Sequence, residues 1–187
     1  MILSKQELNF YIEHDSLNYQ AVTGVKKWWR QLYVNPISDQ WYIWNYIKTL
    51  RMCEYHINNN GLHHKLLRIW YLHRLRIISK ITGFQIPPNT VGPGLTIWHW
   101  GPIIVNPKVR IGENCTLNPM IVIGHKNEGE GAPQIGNNVF IGGGAKIIGS
   151  ITIGDNVIIA PNAVVVKDIP SDVVIGGIPC EILKRKV

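Results

Sequence analysis

The sequence predicts a mainly β protein: a parallel β-solenoid from about residue 86 onward, preceded by an α-helical region. Three observations carry that prediction. Apolar residues recur every three or four positions before residue 83, and Gly83 with Pro87-Pro88 then breaks the pattern. After the break the period becomes six.

The helical part, residues 1–83, contains two clear stretches, Asp39–Asn58 and Leu62–Thr82. In the second, Leu62, Leu66, Ile69, Leu72 or His73, and Arg76 fall along one line, with Leu67, Trp70 and Ile77 beside it. Asn58-Asn59-Asn60-Gly61 is a helix stop, so the two helices are expected to be joined by a tight turn.

In residues 84–187 an aliphatic side chain recurs at Val105, Ile111, Leu117, Ile123, Ile135, Ile141, Ile147, Ile153, Ile159 and Val165. A second small or branched residue follows four positions later, as Val109, Cys115, Ile121, Val139, Ala145, Ile151, Val157 and Ala163. Gly commonly follows the aliphatic residue, with Asn close behind, as in Ile135-Gly136-Asn137-Asn138-Val139. A short strand and a tight corner, repeated, explain this. The aliphatic residue points inward, the fourth position fills a narrow core, and Gly and Asn tolerate unusual φ at the corner. Each coil buries itself on its neighbours.

Two intervals leave the rhythm. Gly124–Gln134 puts Gly129 where an inward residue belongs and surrounds it with charge, which reads as a loop thrown out of the coil. Ile97–Val105 is also out of phase and contains Trp98-His99-Trp100-Gly101-Pro102. These are the places to look for chemistry.

Composition narrows the function classes. No apolar run approaches the roughly 20 residues of a membrane span. The start, Met1-Ile2-Leu3 followed by Ser4, Lys5 and Glu7, is unlike a signal peptide, so the cytoplasm is the expected compartment. Cys53, Cys115 and Cys180 are too scattered for a disulfide framework or a metal site and read as small buried hydrophobes. The net charge of +7 is concentrated in the first 83 residues, which hold 11 Lys/Arg against 5 Asp/Glu and five of the seven tryptophans (Trp28, Trp29, Trp41, Trp44, Trp70). The basic residues are spread out, which favours core tryptophans and a solvated basic face. Peripheral contact with an anionic membrane face is the other reading, and no nucleic-acid partner is expected. His14, His56, His63, His64 and His73 read as ordinary helix residues.

Four pieces, in order, are more specific than the repeat: Ile97-Trp98-His99-Trp100-Gly101, Ile141–Gly149, Val166-Lys167-Asp168-Ile169-Pro170 and Gly176-Gly177-Ile178-Pro179-Cys180. Here the chain resembles the hexapeptide acyltransferases, and within them the serine O-acetyltransferases and their relatives in polysaccharide gene clusters. The resemblance covers about residues 84–184. It implies a left-handed β-helix, acetyl-CoA as co-substrate, no metal, and a site between subunits of a homotrimer or a multiple of trimers. It implies His99 as general base, a role that suits an imidazole largely neutral at pH 7. It places the CoA arm along Gly143, Gly144, Ala145, Val166, Lys167, Gly177 and Pro179, with Lys184 near the phosphates. Trp98, Trp100 and His125 are the candidates for acceptor contact.

The chain departs from the serine enzymes at three points. It has Gln85 and Trp98 where they have aspartates, and Gly131-Ala132 where they have an Arg-His pair. Partner carboxylates for the base, and the cation expected to hold an amino acid's carboxylate, are therefore missing. The expected acceptor is accordingly a sugar hydroxyl of a surface-polysaccharide precursor, with free serine as the alternative. A zinc-dependent carbonic anhydrase on the same coil would need an HxxxxH pair and a third His, whereas residues 84–187 supply only His99 and His125. A non-catalytic scaffold is the remaining alternative.

Overall fold

The computed structural model of the chain describes residues 1–19 and 39–186, so Trp28 and Trp29 lie outside the described residues. Helix α1 (Lys5–Ser16) begins at a capping box: Ser4 Oγ accepts from the Glu7 N–H, and the Glu7 carboxylate accepts from the Ser4 N–H. A 3₁₀ turn, Leu17–Tyr19, follows. Helices α2 (Asp39–Asn58) and α3 (Leu62–Thr82) occupy the two stretches that the periodicity marks, and they pack on each other. Gly83, at φ 81°, ends α3 and returns its N–H to the Ser79 carbonyl.

The remainder is three sheets wound by one chain. The first holds β1 (Phe84–Gln85), β3 (Ile103–Val105), β6 (Ile121–Gly124), β9 (Lys146–Ile148) and β12 (Val164–Val165). The second holds β4 (Arg110–Ile111), β7 (Gln134–Ile135) and β10 (Thr152–Ile153). The third holds β2 (Thr96–Ile97), β5 (Thr116–Leu117), β8 (Phe140–Ile141), β11 (Ile158–Ile159), β13 (Val173–Gly176) and β14 (Glu181–Arg185). From β3 to β12 the chain visits the sheets in rotation, one strand each per coil; in the first and last coils the second sheet is met only by isolated bridges at Val91 and Ile169. Every pairing is parallel except the last, where β14 folds back antiparallel on β13. That reversal interrupts the expected all-parallel pattern.

All ten aliphatic residues at the six-residue period are buried, as are all eight residues of the fourth position. The corners correct one detail of the sequence reading. The glycine after the aliphatic residue is required by stacking: a Cβ on Gly112 would lie 2.8 Å from the Gly136 carbonyl carbon, and one on Gly136 2.8 Å from that of Gly154. Positive φ falls instead on Asn114, Asn138, Asn156 and Asn162.

The helices are fastened to the first coil by a buried charge cluster. Arg51 on α2 is fully buried; its guanidinium contacts Asp15 of α1 at 2.7 Å and Glu54 at 3.0 Å. It also donates to the carbonyls of Val91 (2.8 Å) and Gly92 (2.6 Å). The carboxylates reach the coil too, Asp15 accepting from the Leu95 N–H and Glu54 from the Asn89 N–H. Burial alone would lower the guanidinium's pKa, but Glu54 and Asp15 outweigh it and hold the group more basic than usual.

Two expectations for the helical part need correction. The apolar line on α3 faces outward, while His64, Leu75, Ile78 and Thr82 form its buried side. Trp70 is half exposed, so not every tryptophan is core. Nor are all the histidines ordinary: His56 and His64 are buried and share a hydrogen bond between their Nδ1 atoms at 2.8 Å, one donating and one accepting. Desolvation, then the charge of neighbouring histidines, lowers both pKa values.

Two outcomes follow. Arg51→Met leaves two carboxylates buried without their cation and is expected to destabilise the fold by roughly 3–5 kcal/mol in chemical denaturation. For the histidine pair, the folded pKa values lie below the unfolded one, so protonation favours unfolding. Its stabilising contribution is complete above about pH 6.5 and is lost as pH falls through the depressed values. Melting temperature should therefore drop on acidification, and His56→Gln should make that drop shallower.

Candidate functional site

The register of the third sheet builds one edge of the coil. Ile97, Leu117, Ile141, Ile159 and Ile175 are successive partners. Two residues beyond each, at the corner into the first sheet, stand His99, Pro119, Gly143, Pro161 and Gly177. Below His99 no side chain on this line is larger than a proline ring. At the roughly 4.8 Å spacing of paired strands, Gly143 lies about 10 Å and Gly177 about 19 Å from His99 along the edge. The line forms a smooth strip with an imidazole at its upper end, suited to an extended ligand lying close to the backbone.

His99 is exposed, between the exposed rings of Trp98 and Trp100. Among the described residues, no hydrogen bond or ion pair holds its side chain. Its corner, by contrast, is held tightly. The buried Tyr19 hydroxyl accepts from the Ile97 N–H (2.6 Å) and donates to the Ile97 carbonyl (2.9 Å). Gly101 donates to the Thr82 carbonyl at the end of α3, and Trp100 stacks on Tyr42 of α2 with ring centroids 5.5 Å apart. The helices thus fix the backbone on both sides of the imidazole.

The structure divides the other predicted site residues. Gly143, Gly144 and Gly177 lie on the His99 edge. Ala145 is fully buried and is corrected: it is a fourth-position core residue, with its carbonyl accepting from the Val122 N–H, so it offers a ligand nothing. Val166 and Lys167 are exposed at the opposite edge of the first sheet, where register also places His125. Within one chain that edge is separated from His99 by the width of a three-residue strand, about 10 Å. Gly177–Cys180 caps the first sheet: Val164 donates to the Gly177 carbonyl and receives the Cys180 N–H on its own. Exposed Pro179 lies in that cap. Lys184 is exposed on β14, opposite Val174.

The predicted loop is present as an exposed segment between β6 and β7. His125 at its start lies 3.0 Å, Nδ1 to Nδ2, from Asn106. Cys53, Cys115 and Cys180 are buried as expected, and desolvation pushes the Cys53 thiol up to about 12 and the Cys115 thiol to about 11. Neither is an available nucleophile at neutral pH. Among the described residues no group of three or more His, Cys, Asp or Glu is placed to hold a metal ion. Sequence reasoning missed Tyr19, which nothing in the hexapeptide pattern points to.

Comparisons with known proteins agree with this architecture. Residues 132–167 match the bacterial transferase hexapeptide family (six repeats). The chain is 32% identical over 133 residues to a serine acetyltransferase of Synechococcus elongatus, covering 65% of this chain and 54% of that protein. It is 38% identical over 117 residues to a serine acetyltransferase of Staphylococcus xylosus, covering 59% and 54%. The crystal structure of a Brucella abortus serine acetyltransferase in complex with coenzyme A superposes with a TM-score of 0.73 at 21% identity, covering 98% of this chain and 70% of that one. The chain therefore has the fold of the serine acetyltransferases. It spans little more than half the length of these two sequence relatives.

Tyr19→Phe is expected to leave both backbone groups of Ile97 unpaired and to destabilise the fold by about 1–3 kcal/mol, read from urea unfolding.

Proposed function

We propose that the chain is an acetyl-CoA-dependent O-acetyltransferase, a left-handed β-helix acting in the cytoplasm as a trimer or a multiple of trimers. The observation that carries this reading is the shared register of His99 with the glycine strip of Gly143 and Gly177. The strip would take the pantetheine arm and bring the thioester towards the imidazole. His99 removes the proton from the acceptor hydroxyl as its oxygen attacks the acetyl carbonyl. The C–S bond then breaks, and the imidazolium returns the proton to the departing thiolate. With the thiols buried, direct transfer is the simpler route. The coenzyme A bound to the Brucella protein supports the co-substrate.

The names of the relatives make L-serine the first acceptor to expect, ahead of the sugar hydroxyl favoured by the sequence. The sugar reading retains one specific observation. Trp98, 46% exposed, stands beside His99 where the serine enzymes have a carboxylate, and an open indole suits stacking on a sugar ring.

The test is thiol release from acetyl-CoA with L-serine and a panel of sugars, wild type against His99→Ala. Turnover with serine, falling by roughly 10²- to 10⁴-fold in the variant while CoA still binds, is the expected result. Turnover with a sugar and none with serine would establish the second reading. Absence of CoA binding would leave the scaffold reading.

A further inference from the structure

The outward face of α3 has no counterpart in the chemistry above. Leu62, Leu66, Ile69, Trp70, Ile77 and Ile81 follow one another along it at helical spacing, and all are exposed. Leu66 is 62% and Ile69 64% exposed, values unusual for aliphatic residues within a long, well-packed helix. The stripe is bordered by cations. At 100° per residue, Lys65, Arg68 and Arg76 lie on one flank and Lys80 near the middle. Arg74, on the other flank, is turned to α2, its Nε donating to Thr49 Oγ1 (3.3 Å) and its guanidinium lying over the Trp70 ring. The helix contains no Asp or Glu. Its opposite side is fixed on α2, so the helix is held with this stripe outward.

We infer that this face of α3 lies on the surface of an anionic phospholipid bilayer, with the stripe in the headgroup region and the flanking Lys and Arg on lipid phosphates. The pattern is that of an interfacial helix: an apolar stripe, a Trp, and exposed basic residues. No described helix is long and apolar enough to cross a membrane, so the helix lies in the plane of the surface. Charge decides between lipid and a second copy of the chain. Two such helices face to face would oppose four exposed cations (Lys65, Arg68, Arg76 and Lys80) to four, whereas an anionic surface neutralises them. A groove of 420 Å³ beside the stripe, lined by Trp41, Tyr42, Trp70 and Ile81, connects this face to the candidate site, because Tyr42 also stacks on Trp100.

The test is co-sedimentation of the full chain with vesicles of phosphatidylcholine alone and of phosphatidylcholine mixed with phosphatidylglycerol, at low and high salt. Binding to the anionic vesicles only, weakened by salt, is expected. Leu66→Ser combined with Ile69→Ser should lower that partition about ten-fold or more. Arg68→Gln combined with Arg76→Gln should lower it on anionic vesicles as well. All four positions are exposed, and circular dichroism confirms that the variants fold. Two results would overturn the inference: no difference between the two vesicle types, or no sedimentation together with loss of a higher oligomer in the Leu66/Ile69 variant. The second would assign the face to another copy of the chain.

Discussion

The fold depends on one buried cation. Arg51 joins α1, α2 and the first coil because a guanidinium presents several donors in a fixed plane, and here each direction finds an acceptor: Asp15, Glu54, and the carbonyls of Val91 and Gly92. A parallel solenoid has an inherent difficulty at its ends, since the terminal coil exposes both its core and a row of unpaired backbone groups. Asp15 and Glu54 accept the N–H groups of Leu95 and Asn89, and the hydroxyls of Tyr46 and Tyr19 satisfy Ile86 and Ile97. The helices therefore act as the coil's cap. At the other end, β14 does the same by pairing antiparallel with β13.

That arrangement explains why the candidate catalytic corner belongs to the first coil. Capping helices can hold a backbone segment in place without touching the imidazole itself, and Tyr19, Tyr42 and Thr82 do so on both sides of His99. The imidazole is left open to solvent and to whatever docks beside it. Lower on the same edge the requirements are those of the coil alone. Gly142 and Gly144 are demanded by neighbouring backbone and by Asn162, so their small size cannot by itself signal a ligand. What singles the strip out is its register with His99, a property of the sheet and not of any one residue.

The solenoid was legible in the sequence because a narrow core takes the same two inward residues, one aliphatic and one small or branched, from every step, and the period of six repeats that constraint. The ejected loop and the His99 corner were legible as breaks in the same rhythm. The helical part was less transparent. Its periodicity located α2 and α3 but not which side of α3 is buried, since Leu66 and Ile69 look like core residues to any apolar pattern, while the buried side includes His64 and Thr82. Arg51 and Glu54 sat unnoticed within α2, because charged residues on a core-facing side become meaningful only once their partners on α1 and the coil are known. Ala145 was misassigned for a related reason: a small residue beside a glycine corner looks the same whether it faces a ligand or the core.

Under the proposed transfer reaction, the choice of acceptor turns on the charges near His99. A free amino acid carries an ammonium and a carboxylate, and discrimination for it requires buried opposite charges near the reacting hydroxyl. Around His99 this chain presents indoles, prolines and glycines, with Trp98 directly beside it. On that proposal, either such charges come from another subunit, or the acceptor is one that needs none. The edge bearing His125 and Lys167 lies across the first sheet from His99, out of reach within one chain, yet it is an exposed edge rich in polar groups. If neighbouring subunits bring the two edges together, Lys167 supplies a cation to whatever lies between them, either an acceptor carboxylate or a CoA phosphate. A lysine committed to the phosphate would leave the carboxylate unmatched and tilt the site towards a neutral acceptor.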